Sequence, residues 1–279
     1  MAWIILLLVS LTAAAGDASA EGTALSSETA LSAKTALSGQ TALSAKTALS
    51  AAETATTPEP SLFRAVYKAD YKGLPISAKG IRELRRTENG HYELSSKATS
   101  LFASITETSE FKIAGDQLIP LEYQYHRSGI GRKRDAVLNF NWEENTVLNN
   151  VQNKPWTMDV PVGAMDKLLY QFKLRDDLRA AYENQQPWPA LSYVVADGGK
   201  LKNYEFEVLG EEEIDTPVGK LKTIKATRVR DSRDRQSTFW LAPDYDFLLV
   251  KFQQLEADGD GFELLLREAE FDGETVGSE

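Results

Sequence analysis

The chain contains no cysteine and only two histidines, His91 and His126, among its 279 residues. No disulfide framework, thiol nucleophile, cysteine-based zinc site or acyl-cysteine anchor can be built from it. A histidine-rich metal centre is excluded as well, because such sites gather two or three imidazoles; no metal and no other cofactor is expected. Cations are the scarcer charge, 31 Lys+Arg against 41 Asp+Glu, which leaves a formal net charge of −10. Nucleic-acid binding depends on Lys and Arg neutralising phosphates, so no nucleic-acid partner is expected. A long apolar run is missing too. The N-terminal run Trp3–Ala15 has thirteen residues, whereas a bilayer-spanning helix needs about 20, so no transmembrane segment is expected in the mature chain.

That short run fits the apolar core of a secretory signal peptide, and Ala18-Ser19-Ala20 behind it supplies a small-x-small cleavage site after Ala20. Residues 1–20 are therefore read as a leader and the periplasm as the destination. Next, Thr-Ala-Leu-Ser recurs at Thr23, Thr29, Thr35, Thr41 and Thr47, a strict spacing of six. On a helix a step of six rotates each leucine by about 240°, so no apolar stripe forms. A left-handed β-helix also uses hexapeptides, but this stretch would make fewer than two coils. Its Ala/Ser/Thr composition instead predicts a disordered low-complexity spacer over 21–61, ending in the stiff Thr57-Pro58-Glu59-Pro60.

Composition changes at Phe63. Phe63, Ala65, Tyr67, Ala69 and Tyr71 alternate with Arg64, Lys68 and Asp70, the period of a half-buried antiparallel strand. The same period returns at Leu121–Tyr125, Leu138–Trp142 and Tyr204–Val208, with Gly-containing turns between. Phe247-Leu248-Leu249-Val250 is apolar on both faces and predicts a central strand. One segment has helical spacing instead: Met165, Leu168, Leu169, Phe172 and Leu178, with Asp166, Lys167, Arg175, Asp177 and Arg179 on the remaining arc. Pro187 and Pro189 forbid its continuation. The fold class that follows is mainly β, a large curved antiparallel sheet with one amphipathic helix packed on it. Residues 62–273 read as one domain and 274–279 as a disordered tail.

Near the C-terminus, Trp240-Leu241-Ala242-Pro243-Asp244 followed by Leu248-Leu249-Val250-Lys251 resembles the Trp-Leu-Ala-Pro, spacer, Leu-Pro-Val-Arg motif of the DUF3108 family of bacterial exported proteins. The segments Asp215–Thr223, Met165–Tyr170 and Pro120–Tyr125 resemble the same family. The chain departs from the motif at Leu249, where proline is usual, and at Lys251, where arginine is usual. The resemblance implies export and a sheet wrapped toward a half-barrel, similar to lipoprotein-carrier folds. It brings no established catalytic residues. If the arginine holds an anion in relatives, Lys251 keeps the charge and loses the bidentate fork.

Three groups of residues are candidates for function. Arg228, Arg230, Arg233 and Arg235, interleaved with Asp231 and Asp234, form an anion site for lipid phosphate or acidic glycan, or else a hairpin in which Arg and Asp solvate one another. Arg127, Arg132, Lys133 and Arg134 make a second basic cluster around Gly129-Ile130-Gly131, and a shared rim for the two would favour the anion reading. Tyr67, Tyr71, Tyr123, Tyr125, Phe140, Trp142 and Phe206 are candidates to line an apolar concavity, against ordinary core packing. No nucleophile-and-base motif is present and neither histidine has an evident partner; an Asp/Glu glycosidase pair stays open, because such pairs converge only in three dimensions. The leading reading is a non-catalytic binding module for an amphiphilic or hydrophobic envelope molecule. The alternatives are a structural factor that contacts an envelope protein with no small ligand, and a glycan hydrolase.

Overall fold

The computed structural model describes residues 59–72, 77–129, 133–230 and 235–277. The leader, the spacer up to Pro58, Arg132, Asp231, Arg233, Asp234 and the last two residues lie outside the described residues. Where residues alternate, strands form. Eight follow one another as a meander: β1 (Phe63–Lys72), β2 (Ser77–Arg86), β3 (Tyr92–Thr99), β4 (Ala103–Ala114), β5 (Gln117–Gly129), β6 (Arg134–Asn141), β7 (Thr146–Val151) and β8 (Lys154–Asp159). The helix α1 (Leu169–Glu183) leads to a second meander, β9 (Leu191–Asp197), β10 (Lys200–Thr216), β11 (Gly219–Val229), β12 (Arg235–Ala242), β13 (Leu248–Glu256) and β14 (Gly261–Phe271), and the short β15 (Glu274–Thr275) pairs with β14. The meanders join at β1 and β14, which gives the order β8-β7-β6-β5-β4-β3-β2-β1-β14-β13-β12-β11-β10-β9.

All these ladders are antiparallel. Turns therefore alternate between two rims: those after odd-numbered strands share one, those after even-numbered strands the other. The sheet is open, since β8 and β9 do not pair, yet its two edges approach one another. Met165, in the linker after β8, makes a single parallel bridge to Val195, donating to Val194 O at 2.9 Å and accepting from Ala196 N–H at 2.8 Å. The Trp156 ring of β8 also lies so close to the β9–β10 turn that a methyl on Gly199 would sit 2.2 Å from it. A fourteen-strand path whose ends meet across one linker must be strongly curved, as the half-barrel expectation requires.

Helix α1 fills part of the concave side. Asp166 caps its start: Oδ1 accepts the Leu168 and Leu169 amides at 2.8 Å each, and Oδ2 accepts the Ser109 hydroxyl at 2.6 Å. Leu168, Leu169, Phe172, Leu174 and Leu178 are buried, each stabilising the fold by about 1.5–3 kcal/mol. Phe172 packs on Phe111 at 5.6 Å between ring centroids and Tyr182 on Phe247 at the same spacing. Two expectations need correction. Asp166 and Arg175, read as part of the solvent-facing arc, are buried, at 0% and 5% exposure, because the curved sheet wraps around more of the helix than a flat one would. The chain also remains structured past 273: β15 pairs with β14, and Val276 joins the core, 3% exposed.

One turn tests the register. Gly129, opposite Ala103, has φ +98°, and a Cβ added there would lie 2.3 Å from the Phe102 carbonyl oxygen. Gly129→Ala should cost about 1–3 kcal/mol through backbone strain, read as a lowered urea midpoint with an unchanged m-value; an unchanged midpoint would refute this register.

Candidate functional site

Beyond the first turn of α1, the concave face is not filled by the helix. A cavity of about 140 Å³ lies between that turn and the inward rows of the strands. Its size matches a hole that holds one benzene ring. One wall is apolar: Leu249 and Phe252 from β13, Phe262 and Leu264 from β14, and Phe239 from β12. The rings form a ladder across neighbouring strands, Phe206–Phe239 at 5.7 Å, Phe239–Phe252 at 4.7 Å and Phe252–Phe262 at 5.4 Å. Cations line the cavity as well: Arg228, Arg230 and Arg235 from the β11–β12 hairpin, Arg82 from β2 and Lys167 from the helix lead-in. Glu107 on β4 is the one carboxylate among the described lining residues.

Lys167 Nζ is 4.0 Å from Glu107, which also accepts the Tyr123 hydroxyl at 2.5 Å. Burial, reinforced by that carboxylate, pushes the Tyr123 hydroxyl well above the usual range. Arg82 donates to Gln171 Oε1 at 2.8 Å and so ties β2 to the helix, and Arg235 pairs with Glu256 at 2.7 Å. Arg228 lies over Tyr204, with its guanidinium carbon 3.2 Å from the ring centroid. Arg228 Nε and Arg230 Nε are buried donors with no hydrogen-bond partner among the described residues. Burial holds the Arg230 guanidinium below its ordinary value, and the like charges of Arg228 and Arg235 add to this. Tyr170, on the helix edge of the cavity, is pushed up to about 12 by burial.

The sequence candidates fall out as follows. Arg228, Arg230 and Arg235 border the cavity together. Lys133 and Arg134 follow β5 and so sit at the same rim as the β11–β12 hairpin, but they do not line the cavity. Among the aromatic candidates, Tyr67 is core, donating to Leu249 O at 2.8 Å. Tyr123 is held by Glu107, and Tyr125 lies under Lys167, 5.6 Å from Nζ to the ring centroid. Phe140 stacks on Trp142, whose Nε1 donates to Pro120 O. Phe206 stands one ring behind Phe239. Tyr71 is placed opposite Phe262 by register, and its side chain lies outside the described set. Arg82, Lys167, Tyr170, Phe239, Phe252 and Phe262 were not singled out by the sequence; the last three alternate like any core residue and carry no separate signal.

Of the family-motif segment Leu249 lines the cavity, and the other motif residues face elsewhere. Trp240, 4% exposed, is sandwiched between Lys225 and Lys251, each Nζ 5.0 Å from its ring, and donates from Nε1 to Glu212. Lys251 also pairs with Glu263 at 3.0 Å. Neither residue lines the cavity, so Lys251 is part of a packed ladder on the other face of the sheet. Leu241 and Ala242 are buried, and Pro243 opens the 3₁₀ turn Pro243–Tyr245. Both histidines pair with carboxylates away from the cavity, His91 with Glu110 at 2.7 Å and His126 with Asp135. Among the described residues no group of three potential metal ligands forms, and no helix is long and apolar enough to cross a membrane.

Comparison with known proteins agrees with the architecture. The family model described as "Protein of unknown function (DUF3108)" matches residues 66–267. No curated protein matches the sequence. A β-barrel-like protein of the DUF1849 family from Brucella abortus is similar in structure, with TM-score 0.51 and 8% identity over 76% of this chain and 98% of that one. The MucA/MucB complex of Pseudomonas aeruginosa is similar at TM-score 0.32 and 10% identity, over 76% of this chain and 52% of that one. The Brucella likeness shows a shared barrel-like fold.

Proposed function

The chain belongs to the DUF3108 family, proteins of unknown function, and from its cavity we propose that it is a non-catalytic binding module for an amphiphilic molecule of the cell envelope. The observation that carries this is the mixed lining of the cavity, which brings phenylalanine and leucine side chains together with arginines beneath the first turn of α1. Such a surface matches a molecule with an apolar and a polar end. The leader-like run Trp3–Ala15 and the Ala18-Ser19-Ala20 site behind it support the reading from the sequence side. On this reading residues 1–20 are the leader, 21–61 a spacer and the domain from 62 the binding unit, working in the periplasm. The placement of both histidines outside the cavity fits a binding role better than acid–base chemistry.

Native mass spectrometry of the full chain expressed with its leader, with organic extraction of the same sample, tests the proposal. A stoichiometric adduct released as an amphiphile is the expected result. Ala98, half-buried in β3 and lining the cavity, offers the paired test. Ala98→Phe should fill the cavity and weaken binding of a single-chain amphiphile about tenfold, or 1.4 kcal/mol, while the melting temperature holds. A bare chain that stays bare in envelope lipid extract would overturn the proposal and favour an envelope protein as partner.

A further inference from the structure

Resting on the amphiphile reading, we propose that Arg228 and Arg230 form an anion-recognition site, so that the molecule bound in this cavity carries a phosphate or carboxylate head. Three observations lead there. The first is charge: five cationic side chains and one carboxylate line the cavity. Lys167 faces that carboxylate, Arg235 is matched by Glu256, and Arg82 is spent on the Gln171 amide. Among the described residues no carboxylate stands against Arg228 or Arg230. The second is unmet hydrogen bonding. A buried donor left unsatisfied costs about 1–3 kcal/mol, more when charged, and the Nε of both arginines is in that state. A fold that merely needed to cover this rim would do so more cheaply with neutral side chains. The third is orientation. Arg228 is stacked on Tyr204, Tyr204 meets Tyr170 edge-on at 5.0 Å, and the Tyr204 hydroxyl is fixed by Asp197 at 2.9 Å. The guanidinium is thereby kept in place over a ring that is itself fixed, and the planar fork of arginine suits bidentate capture of phosphate or carboxylate.

The cavity also limits what sits behind the head. A volume of about 140 Å³ takes a ring or a short stretch of alkyl chain, not a whole diacyl lipid. Phe252, Phe262 and Leu264 would contact the segment nearest the head, and the remainder would leave by the rim. The site therefore selects for a charged head with an apolar first segment.

The test is titration of the full chain with three probes below any micelle concentration: dodecyl phosphate, dodecanol and inorganic phosphate. Dodecyl phosphate should bind at least tenfold more tightly than either of the others. In the Arg228→Gln/Arg230→Gln double variant that preference should vanish, with dodecanol affinity retained as proof that the cavity is intact. The Arg228→Lys/Arg230→Lys variant should keep part of the preference, since it keeps charge but loses the forks. Equal binding of dodecyl phosphate and dodecanol by the unaltered chain would overturn the head-group inference and leave the amphiphile reading standing. Inorganic phosphate binding as tightly as dodecyl phosphate would show an anion site that ignores the tail, and would overturn the amphiphile reading while leaving the anion site. Binding of none of the three would overturn the amphiphile reading and this inference with it.

Discussion

Asp246→Ala should destabilise the fold by about 3–5 kcal/mol, the cost of leaving a buried charge without its partner. Arg175 is the charge concerned. It sits at 5% exposure among the rings of Phe63, Phe172 and Phe271, with centroid distances of 5.1, 5.2 and 5.9 Å. Its Nε donates to the Asp246 carbonyl at 2.6 Å, its Nη2 donates to the Asp246 carboxylate, and Arg179 Nη1 reaches the other carboxylate oxygen at 3.1 Å. Burial lowers the Arg175 guanidinium from its ordinary value, and Asp246 opposes that shift. Removing the carboxylate leaves the burial without the compensation. Asp246 also has φ +50°, followed by Phe247 at +56°, so alanine adds local strain, whereas asparagine tolerates this region. Asp246→Asn should therefore cost less than Asp246→Ala, the difference measuring strain and lost acceptors. Arg175→Met, which fills the aromatic cage without a charge, should cost less than Arg175→Ala. For a domain of this size 3–5 kcal/mol lowers the melting temperature by roughly 10 °C, easily read by calorimetry. A loss under about 1 kcal/mol would mean that the pair behaves as a solvated surface contact.

This contact also gives the segment that carries the family motif a physical role in this chain. Trp240 is gripped on the far face of the sheet, Pro243 starts the 3₁₀ turn, and the two left-handed residues after it present Asp246 to the helix. In this chain the segment that carries the motif docks α1 through Asp246, and nothing in the motif's spacing alone revealed that, because Arg175 lies 71 residues away.

Much of the fold was legible because it is local. Alternation at Phe63–Tyr71 or Tyr204–Val208 needs only a strand with one wet face, and the leucines of α1 need only a sheet to lie on. Charge was the misleading signal. Asp166 and Arg175 occupy the polar arc of the helix, and a charged residue there reads as solvent-facing until a specific partner is known. The seam between β1 and β14 joins strands nearly two hundred residues apart, a pairing that no periodicity encodes. The candidate site was half legible for the same reason. Arg228, Arg230 and Arg235 cluster within eight residues, whereas Arg82 and Lys167 reach the cavity only through topology. The aromatic candidates on β5 and β6 alternate as well as Phe252 and Phe262 do; what separates them is that the helix and its lead-in cover one part of the concave face and leave another open.

Asp166→Asn should raise stability at neutral pH relative to the parent chain, and the advantage should disappear toward pH 4. Asp166 is fully buried, and burial lifts its carboxyl to about 6, against the lowering effect of Ser109 and the Leu169 and Leu168 amides. Because the folded value lies above that of the unfolded chain, about 3.9, the native state holds a proton that the unfolded state has lost. Stability from this group is thus fully present below pH 4, falls as pH rises through 6, and is flat above it. The gap of about two units corresponds to roughly 3 kcal/mol. Asparagine is isosteric, keeps an acceptor for the two amides, and cannot ionise. The groups that face this carboxyl are Ser109 and Glu107 on β4, and the ion pair of Glu107 with Lys167. Glu107 raises the Asp166 value, so Glu107→Gln should narrow the pH window. Unfolding midpoints of parent and variant at half-unit intervals from pH 4 to 8 give the difference curve directly. A difference that stays constant across that range would show that Asp166 is ionised throughout, its charge sustained by the amides it caps. Asp166→Ala, which leaves the Leu168 and Leu169 amides buried and unpaired, should be less stable than Asp166→Asn by about 1–2 kcal/mol for the missing cap, a gap that does not change with pH because neither variant ionises there. The two variants together separate the capping role of this side chain from the cost of its charge.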